Sequence, residues 1–173
     1  MKIAVIGYSG SGKSTLAKFM GEQFSIPILF LDTIHFLPNW QEREDKEALV
    51  LIEDFMQQES WVIDGNYRNY HYESRLERAD YIIFMKFSRF QCLVRAAKRY
   101  FQFRGKCRES MAQGCQEKLD WEFIRWILHD GRTQSIQKND QEICKKYAHK
   151  IIVIRNQRQL NAFKGNLFSV ICR

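Results

Sequence analysis

The sequence predicts an α/β fold, a three-layer α/β/α domain around a five-stranded parallel sheet, on two observations. Five short apolar, β-branched runs at 3–6, 28–31, 61–63, 81–85 and 151–154 alternate with segments of helical period. Strands separated by helices run parallel and are covered on both faces. Between the first strand and the first helix lies Gly7-Tyr8-Ser9-Gly10-Ser11-Gly12-Lys13-Ser14, which satisfies the P-loop pattern G-x-x-x-x-G-K-[ST] in full.

Each element has a local reason. Gly7 closes the first strand, and residues 13–24 carry Leu16, Phe19 and Met20 at helical spacing. The second strand follows Pro27; residues 32–41, with Pro38 and Asn39, read as a loop, and 42–58 as an amphipathic helix. The third strand runs into Asp64-Gly65-Asn66, a turn signal. Ser88 is a candidate N-cap for a helix over 88–101, and further helices are expected over 119–129 and 133–148. Residues 104–118 show no period, contain Gly105 and Gly114, and read as a mobile loop; residues 165–173 take no assignment.

A chain of 173 residues, 45% of them hydrophobic, suits one domain, 1–173, that buries roughly two-thirds of its unfolded surface. No apolar run approaches the roughly 20 residues of a membrane helix, and the first residues lack a signal-peptide pattern, so no membrane partner is expected and the setting is read as cytoplasmic. Five cysteines with no C-x-x-C pair read as reduced thiols. Cys107 and Cys115 would make half of a zinc site, but no second Cys or His pair lies near them in sequence. The 27 basic and 20 acidic residues give a net charge of +7, which favours an anionic partner. Lys86, Arg89, Arg95, Lys98, Arg99, Arg104, Lys106 and Arg108 form a run without an acid, a pattern that suits polyphosphate or nucleic acid.

The P-loop points to a nucleoside triphosphate with Mg²⁺. Backbone N–H groups and the helix N-terminus would hold the phosphates across Gly7, Ser9, Gly10, Ser11, Gly12, Lys13, Ser14 and Thr15. Lys13 would neutralise the β- and γ-phosphates, and Ser14 would offer its hydroxyl to the metal. Asp64 and Asp32 end adjacent strands, whose carboxyl ends gather beside the phosphate loop in a parallel sheet. Asp64 suits a metal-ordering carboxylate, and Asp32 suits the orientation of an acceptor or the capture of its proton.

Asp64-Gly65-Asn66-Tyr67-Arg68 resembles the Asp-Gly-x-Pro-Arg segment of adenylate kinases and related nucleoside monophosphate kinases, with Tyr67 where that family has proline. The resemblance implies a metal-ordering role for Asp64 and an acceptor-phosphate role for Arg68. The P-loop, Leu31-Asp32, Pro38-Asn39-Trp40, Trp61-Val62-Ile63-Asp64-Gly65-Asn66-Tyr67, Ala79-Asp80, Arg104-Gly105-Lys106, Met111-Ala112-Gln113-Gly114-Cys115 and Glu117-Lys118-Leu119-Asp120-Trp121-Glu122-Phe123 together resemble the bacterial DNA topology modulation proteins, over nearly the whole chain. That resemblance implies a P-loop NTPase fold, adenylate/shikimate-kinase-like, with a reduced acceptor region near 32–60 and a helical lid insertion near 103–132.

It also implies a phosphotransferase that uses ATP and Mg²⁺ on a small acceptor, a nucleotide or nucleoside. Arg95 and Arg99 then become nucleotide-binding residues, with Arg99 catalytic beside Lys13, Asp32 and Asp64. Arg104, Lys106, Arg108, Arg125 and Arg132 become lid candidates. His35, Phe36, Trp40, Tyr67 and Tyr70 are candidate acceptor-lining residues alongside Asp32, Asp64 and Arg68. The competing expectation is a DNA-binding protein that uses ATP as a switch. It rests on the basic run alone, since no dedicated nucleic-acid motif accompanies that run. Acceptor identity, preference for ATP over GTP, and oligomeric state are left open by the residues.

Overall fold

The computed structural model describes residues 1–171, so Cys172 and the last part of the unassigned 165–173 stretch lie outside it. Strands β1 (Lys2–Gly7), β2 (Ile28–Phe30), β5 (Trp61–Asp64), β6 (Tyr81–Met85) and β7 (Ile151–Ile154) form one sheet in the order β2-β5-β1-β6-β7, every neighbouring pair parallel. The short strands β3 (Phe36–Leu37) and β4 (Gln41–Glu42) make a separate antiparallel hairpin.

Side chains alternate across a strand, so one strand feeds two cores. Ile3, Val5, Val62, Ile83 and Met85 enter one apolar cluster with Leu16 and Met20 of α1 (Lys13–Phe24) and Ala96 of α5 (Arg89–Phe103). Ala4, Ile6, Trp61, Ile63, Ile82 and Phe84 enter the other with Ile52 of α3 (Asp45–Met56) and Leu76 of α4 (Tyr72–Arg78). The three-layer α/β/α fold with its five-stranded parallel sheet is therefore as the alternation of elements predicts. Register places Val5 beside Asp64 and Gly7 beside Met85, so the loops after β1 and β5 leave the same edge of the sheet.

Ser88 caps α5 as expected: its hydroxyl accepts from the N–H of Gln91, whose side chain returns to the Ser88 N–H in a capping box. The helices expected over 119–129 and 133–148 are α6 (Trp121–Leu128), capped by Asp120, and α7 (Gln134–Lys146), capped by Thr133. Two expectations change. The loop over 32–41 contains helix α2 (Leu31–His35), the β3–β4 hairpin and a 3₁₀ turn, Pro38–Trp40. Tertiary packing orders it: Leu31 is wholly buried, and Arg43 donates through Nε to the carbonyl of Ile34. Helices α4, α8 (Gln157–Gly165) and α9 (Leu167–Ile171) were unassigned from periodicity; each is short and anchored by only a few buried residues.

Residues 104–118 carry no regular element, as expected, yet they are anchored. Cys115 is buried, with its Sγ 3.3 Å from the donating Trp40 N–H, and the Asn39 N–H donates to the carbonyl of Gln113 at 3.3 Å. Cys107 lies with its Sγ 3.0 Å from the Ala112 carbonyl, and the two thiols join no cluster of three metal-ligating side chains among the described residues. Cys92, Cys107, Cys115 and Cys144 are free thiols. No helix among the described residues is long and apolar enough to cross a membrane.

Candidate active site

At its glycines the phosphate loop has no room for a side chain without strain or a shift. Gly10 has φ +76°, and a Cβ there would lie 2.5 Å from the Cys92 carbonyl oxygen of α5. Gly12 has φ +91° and caps α1, with Arg95 Nη2 3.1 Å from where its Cβ would be. Lys13 donates to the carbonyl of Tyr8 at 3.1 Å, folding its ammonium back over the loop. Among the described residues, three buried polar atoms around this loop are without a hydrogen-bond partner: Ser11 Oγ, Asp64 Oδ1 and Arg95 Nη1. Unpaired buried donors and acceptors are costly unless a ligand engages them. A glycine-lined cradle with one lysine, one buried carboxylate and one unpaired guanidinium nitrogen fits a polyphosphate and its magnesium. Mg²⁺ needs only one or two protein oxygens when phosphates and water complete its shell.

Tyr8 ties the loop to the far end of the chain. Its hydroxyl donates at 2.7 Å to Asp140 of α7, which is 4% exposed, and Arg132 lies 3.7 Å over its ring. Arg132 also donates to the Phe87 carbonyl and to Cys92 Sγ, so this lid candidate is tied in place beside the phosphate loop. Burial pushes the Asp140 carboxyl upward, and the Tyr8 hydrogen bond pulls it back. Tyr8→Phe is expected to lower stability by about 1–3 kcal/mol, because it removes the hydroxyl from a buried carboxylate. A urea midpoint equal to that of the unsubstituted chain would contradict the linkage.

The two carboxylates differ in surroundings. Asp64 ends β5 at 4% exposure. Burial raises its pKa to about 6 against the pull of Lys13 and a hydrogen bond from Ser14, while the neighbouring Asp32 adds to the rise. Asp32 lies in the first turn of α2, two residues past β2 rather than at its end as the sequence suggested, and accepts from the Tyr67 hydroxyl at 2.8 Å. Tyr67 stacks on Tyr70, and burial followed by the charge of Asp32 keeps its hydroxyl protonated. Arg75 locks the connecting segment. Wholly buried, it donates to the carbonyls of Tyr70 at 2.8 Å, Gly65 at 3.2 Å and Tyr67 at 2.8 Å.

Arg95 and Arg99 share a face of α5, as their spacing predicts. Arg95 lies 4.5 Å over the Phe87 ring beside the phosphate loop. Arg99 donates through Nε at 2.9 Å to Glu117, which also receives Arg108. Glu117 is 4% exposed at its side chain and bridges the two guanidiniums. Burial lowers the pKa of both Arg95 and Arg99, and Arg108 adds to the lowering for Arg99.

One cavity of about 1240 Å³ collects these groups. It is lined by Gly7, Ser9, Gly10, Gly12, Lys13, Ser14 and Thr15, and by Asp32, Trp40, Asp64, Arg68, Arg95 and Arg99. Phe36, Tyr67 and Arg108 line it as well. Ser11 is wholly buried within the loop and is outside the lining. His35 is also outside it, which corrects its place as a lining residue. Its Nδ1 lies 2.7 Å from the Tyr70 hydroxyl and its ring packs on Phe36 and Tyr67, so it supports the aromatic wall from behind. Tyr70 is wholly buried for the same reason. Arg104, Lys106 and Arg125 do not line the cavity either; Arg125 pairs with Asp130 at 3.1 Å. Sequence reasoning missed Glu117, Asp140 and Arg75. None has a local signature, because each acts on a partner distant in sequence or on backbone carbonyls.

Two solved kinases resemble the chain to different degrees. Against shikimate kinase from Bacteroides thetaiotaomicron, the TM-score is 0.56 at 14% identity, covering 100% of this chain and 99% of that one. Against deoxyadenosine kinase from M. mycoides, it is 0.47 at 15% identity, covering 98% and 100%. No protein-family model matches the chain, and no curated protein matches it by sequence. At such identities the first likeness establishes the fold: a mixed α/β P-loop architecture with an all-parallel five-stranded sheet.

Proposed function

We propose that this chain is an ATP-dependent phosphotransferase, adenylate-kinase-like and akin to the DNA topology modulation proteins, acting on a small acceptor of the nucleotide or nucleoside class. The observation that carries the reading is the convergence of the phosphate loop, Asp32, Asp64, Arg95 and Arg99 on one cavity. A magnesium ion, when bound, would supply positive charge against the charge that develops on the transferring phosphates. Ser14 and Asp64 would hold that ion, Lys13 would neutralise the phosphates, and the bare backbone at Gly10 and Gly12 would admit them closely. Arg99 spends only Nε on Glu117, leaving its other nitrogens for the transferring group. Catalysis would consist mainly of positioning and charge stabilisation.

In this reading the chain is one domain, with residues 32–60 forming the reduced acceptor region and 103–132 the lid. The cleft suits a phosphorylated nucleotide better than nucleic acid, because Arg95, Arg99 and Arg108 of the basic run line the cavity. A coupled assay of ADP release from Mg-ATP across nucleosides, nucleoside monophosphates and other hydroxyl compounds tests it. Release stimulated at least tenfold by one acceptor class is the expected result. ATP binding without acceptor-stimulated release from any of them would reject the reading.

A further inference from the structure

We propose that the group phosphorylated by this protein is a hydroxyl rather than a phosphate, with Asp32 taking its proton and Tyr67 holding Asp32 in place. The inference rests on the phosphotransferase reading and narrows its acceptor. Asp32 lines the cavity, and one of its oxygens, Oδ1, accepts from Tyr67 at 2.8 Å. No basic side chain forms an ion pair with it among the described residues. A second carboxylate, Asp64, lines the same cavity. A monophosphate acceptor would bring further negative charge to this pair, whereas an alcohol brings a proton that a carboxylate can accept.

Several of the cavity's cations already have partners among the described residues, Arg99 through Nε alone. Glu117, buried, bridges Arg99 and Arg108, and Lys118 lies 4.7 Å over the Trp40 ring. Arg68, the acceptor-phosphate residue implied by resemblance, is exposed, and it also borders a second cleft between α4 and α7. Around Asp32 the wall is aromatic instead: Phe36 and Trp40 meet edge to face at 5.0 Å, and Tyr67 completes it. Such a wall suits the ring of a nucleoside-like alcohol.

Tyr67 occupies the position where proline was expected, and its hydroxyl gives the substitution a purpose. The segment that carries it is clamped by the three Arg75 hydrogen bonds, so the Tyr67 donor is held at a set position. With Oδ1 taken by Tyr67, the second oxygen, Oδ2, is the one left for the acceptor. In the step, the acceptor O–H proton passes to Asp32 Oδ2 while its oxygen bonds to the γ-phosphorus. The bond from that phosphorus to the β,γ-bridging oxygen breaks, ADP leaves with the electron pair, and Asp32 later returns the proton to solvent.

Water is the smallest hydroxyl acceptor, so the test does not depend on knowing the alcohol. Mg-ATP hydrolysis and ATP affinity are measured for the full chain and for Asp32→Asn, Tyr67→Phe and the double variant. Transfer to nucleosides is then compared with transfer to the matching 5′-monophosphates. Asp32→Asn is expected to slow hydrolysis by about a hundredfold or more at unchanged ATP affinity. Tyr67→Phe should slow it by about tenfold in kcat with the KM for ATP unchanged, and should add nothing in the Asp32→Asn background, since it acts through that carboxylate. Nucleosides should be phosphorylated in preference to monophosphates. Monophosphates preferred over nucleosides, or Asp32→Asn hydrolysing ATP at the unsubstituted rate, overturns the hydroxyl assignment and leaves the phosphotransferase standing. ATP turned over with no acceptor and not with water overturns both.

Discussion

Lys13→Ala is expected to slow phosphoryl transfer from Mg-ATP by about a thousandfold while the fold survives. The size follows from the role: a preorganised cation beside the β- and γ-phosphates acts where charge develops, in a cleft screened from bulk water. Survival of the fold follows from the contacts. Lys13 is partly exposed and, among the described residues, its ammonium donates to the Tyr8 carbonyl alone, so alanine breaks one partly exposed hydrogen bond and keeps the helix propensity of α1. The buried Asp64 carboxyl, losing the pull of Lys13, shifts further upward. Two measurements separate the outcomes, the rate of ADP release and the urea midpoint. A rate within tenfold of the unsubstituted chain, at an unchanged midpoint, would remove the phosphate loop from the chemistry.

The second large effect is on stability and falls on a residue distant from the phosphates. Arg75→Ala is expected to lower the free energy of unfolding by about 3 kcal/mol or more. It leaves the carbonyls of Gly65, Tyr67 and Tyr70 without their donors and opens a cavity under the segment that follows β5. Burial pushes the Arg75 pKa down to about 10, and no acidic side chain pairs with it among the described residues, so three carbonyl dipoles hold the cation. Lysine should not rescue it. A single ammonium lacks the planar fork that reaches three carbonyls at once. Transfer activity should fall with stability, since the same segment carries Tyr67 to Asp32. An Arg75→Ala midpoint indistinguishable from that of the unsubstituted chain would show that the clamp is dispensable.

Much of the site was legible because its parts are local. The phosphate loop declares itself through glycines that must curl between a strand and a helix. Asp64 declares itself as a carboxylate at a strand end; Asp32, expected at one too, lies in the first turn of α2, because the chain turns helical straight after Phe30, and both line the cavity. Arg95 and Arg99, four apart, had to share a helix face. His35 was misplaced for the opposite reason: a histidine near a strand end looks available, and only the packing of Phe36, Tyr67 and Tyr70 around it decides otherwise. Arg132, a lid candidate, does line the cavity, but only the structure shows that its guanidinium is also tied to Phe87 and Cys92.

The sequence by itself determined the alternation of strands and helices, the parallel sheet and the phosphate loop, because periodicity, turn residues and glycine requirements act over a few residues. Tertiary structure decided which side chains meet. Tyr8 and Asp140 are 132 residues apart, Asp32 and Tyr67 are 35 apart, and Arg99 and Glu117 are 18 apart. No local pattern encodes such pairs, since they exist only where packing brings distant segments within hydrogen-bond distance and removes the water that would otherwise satisfy each group.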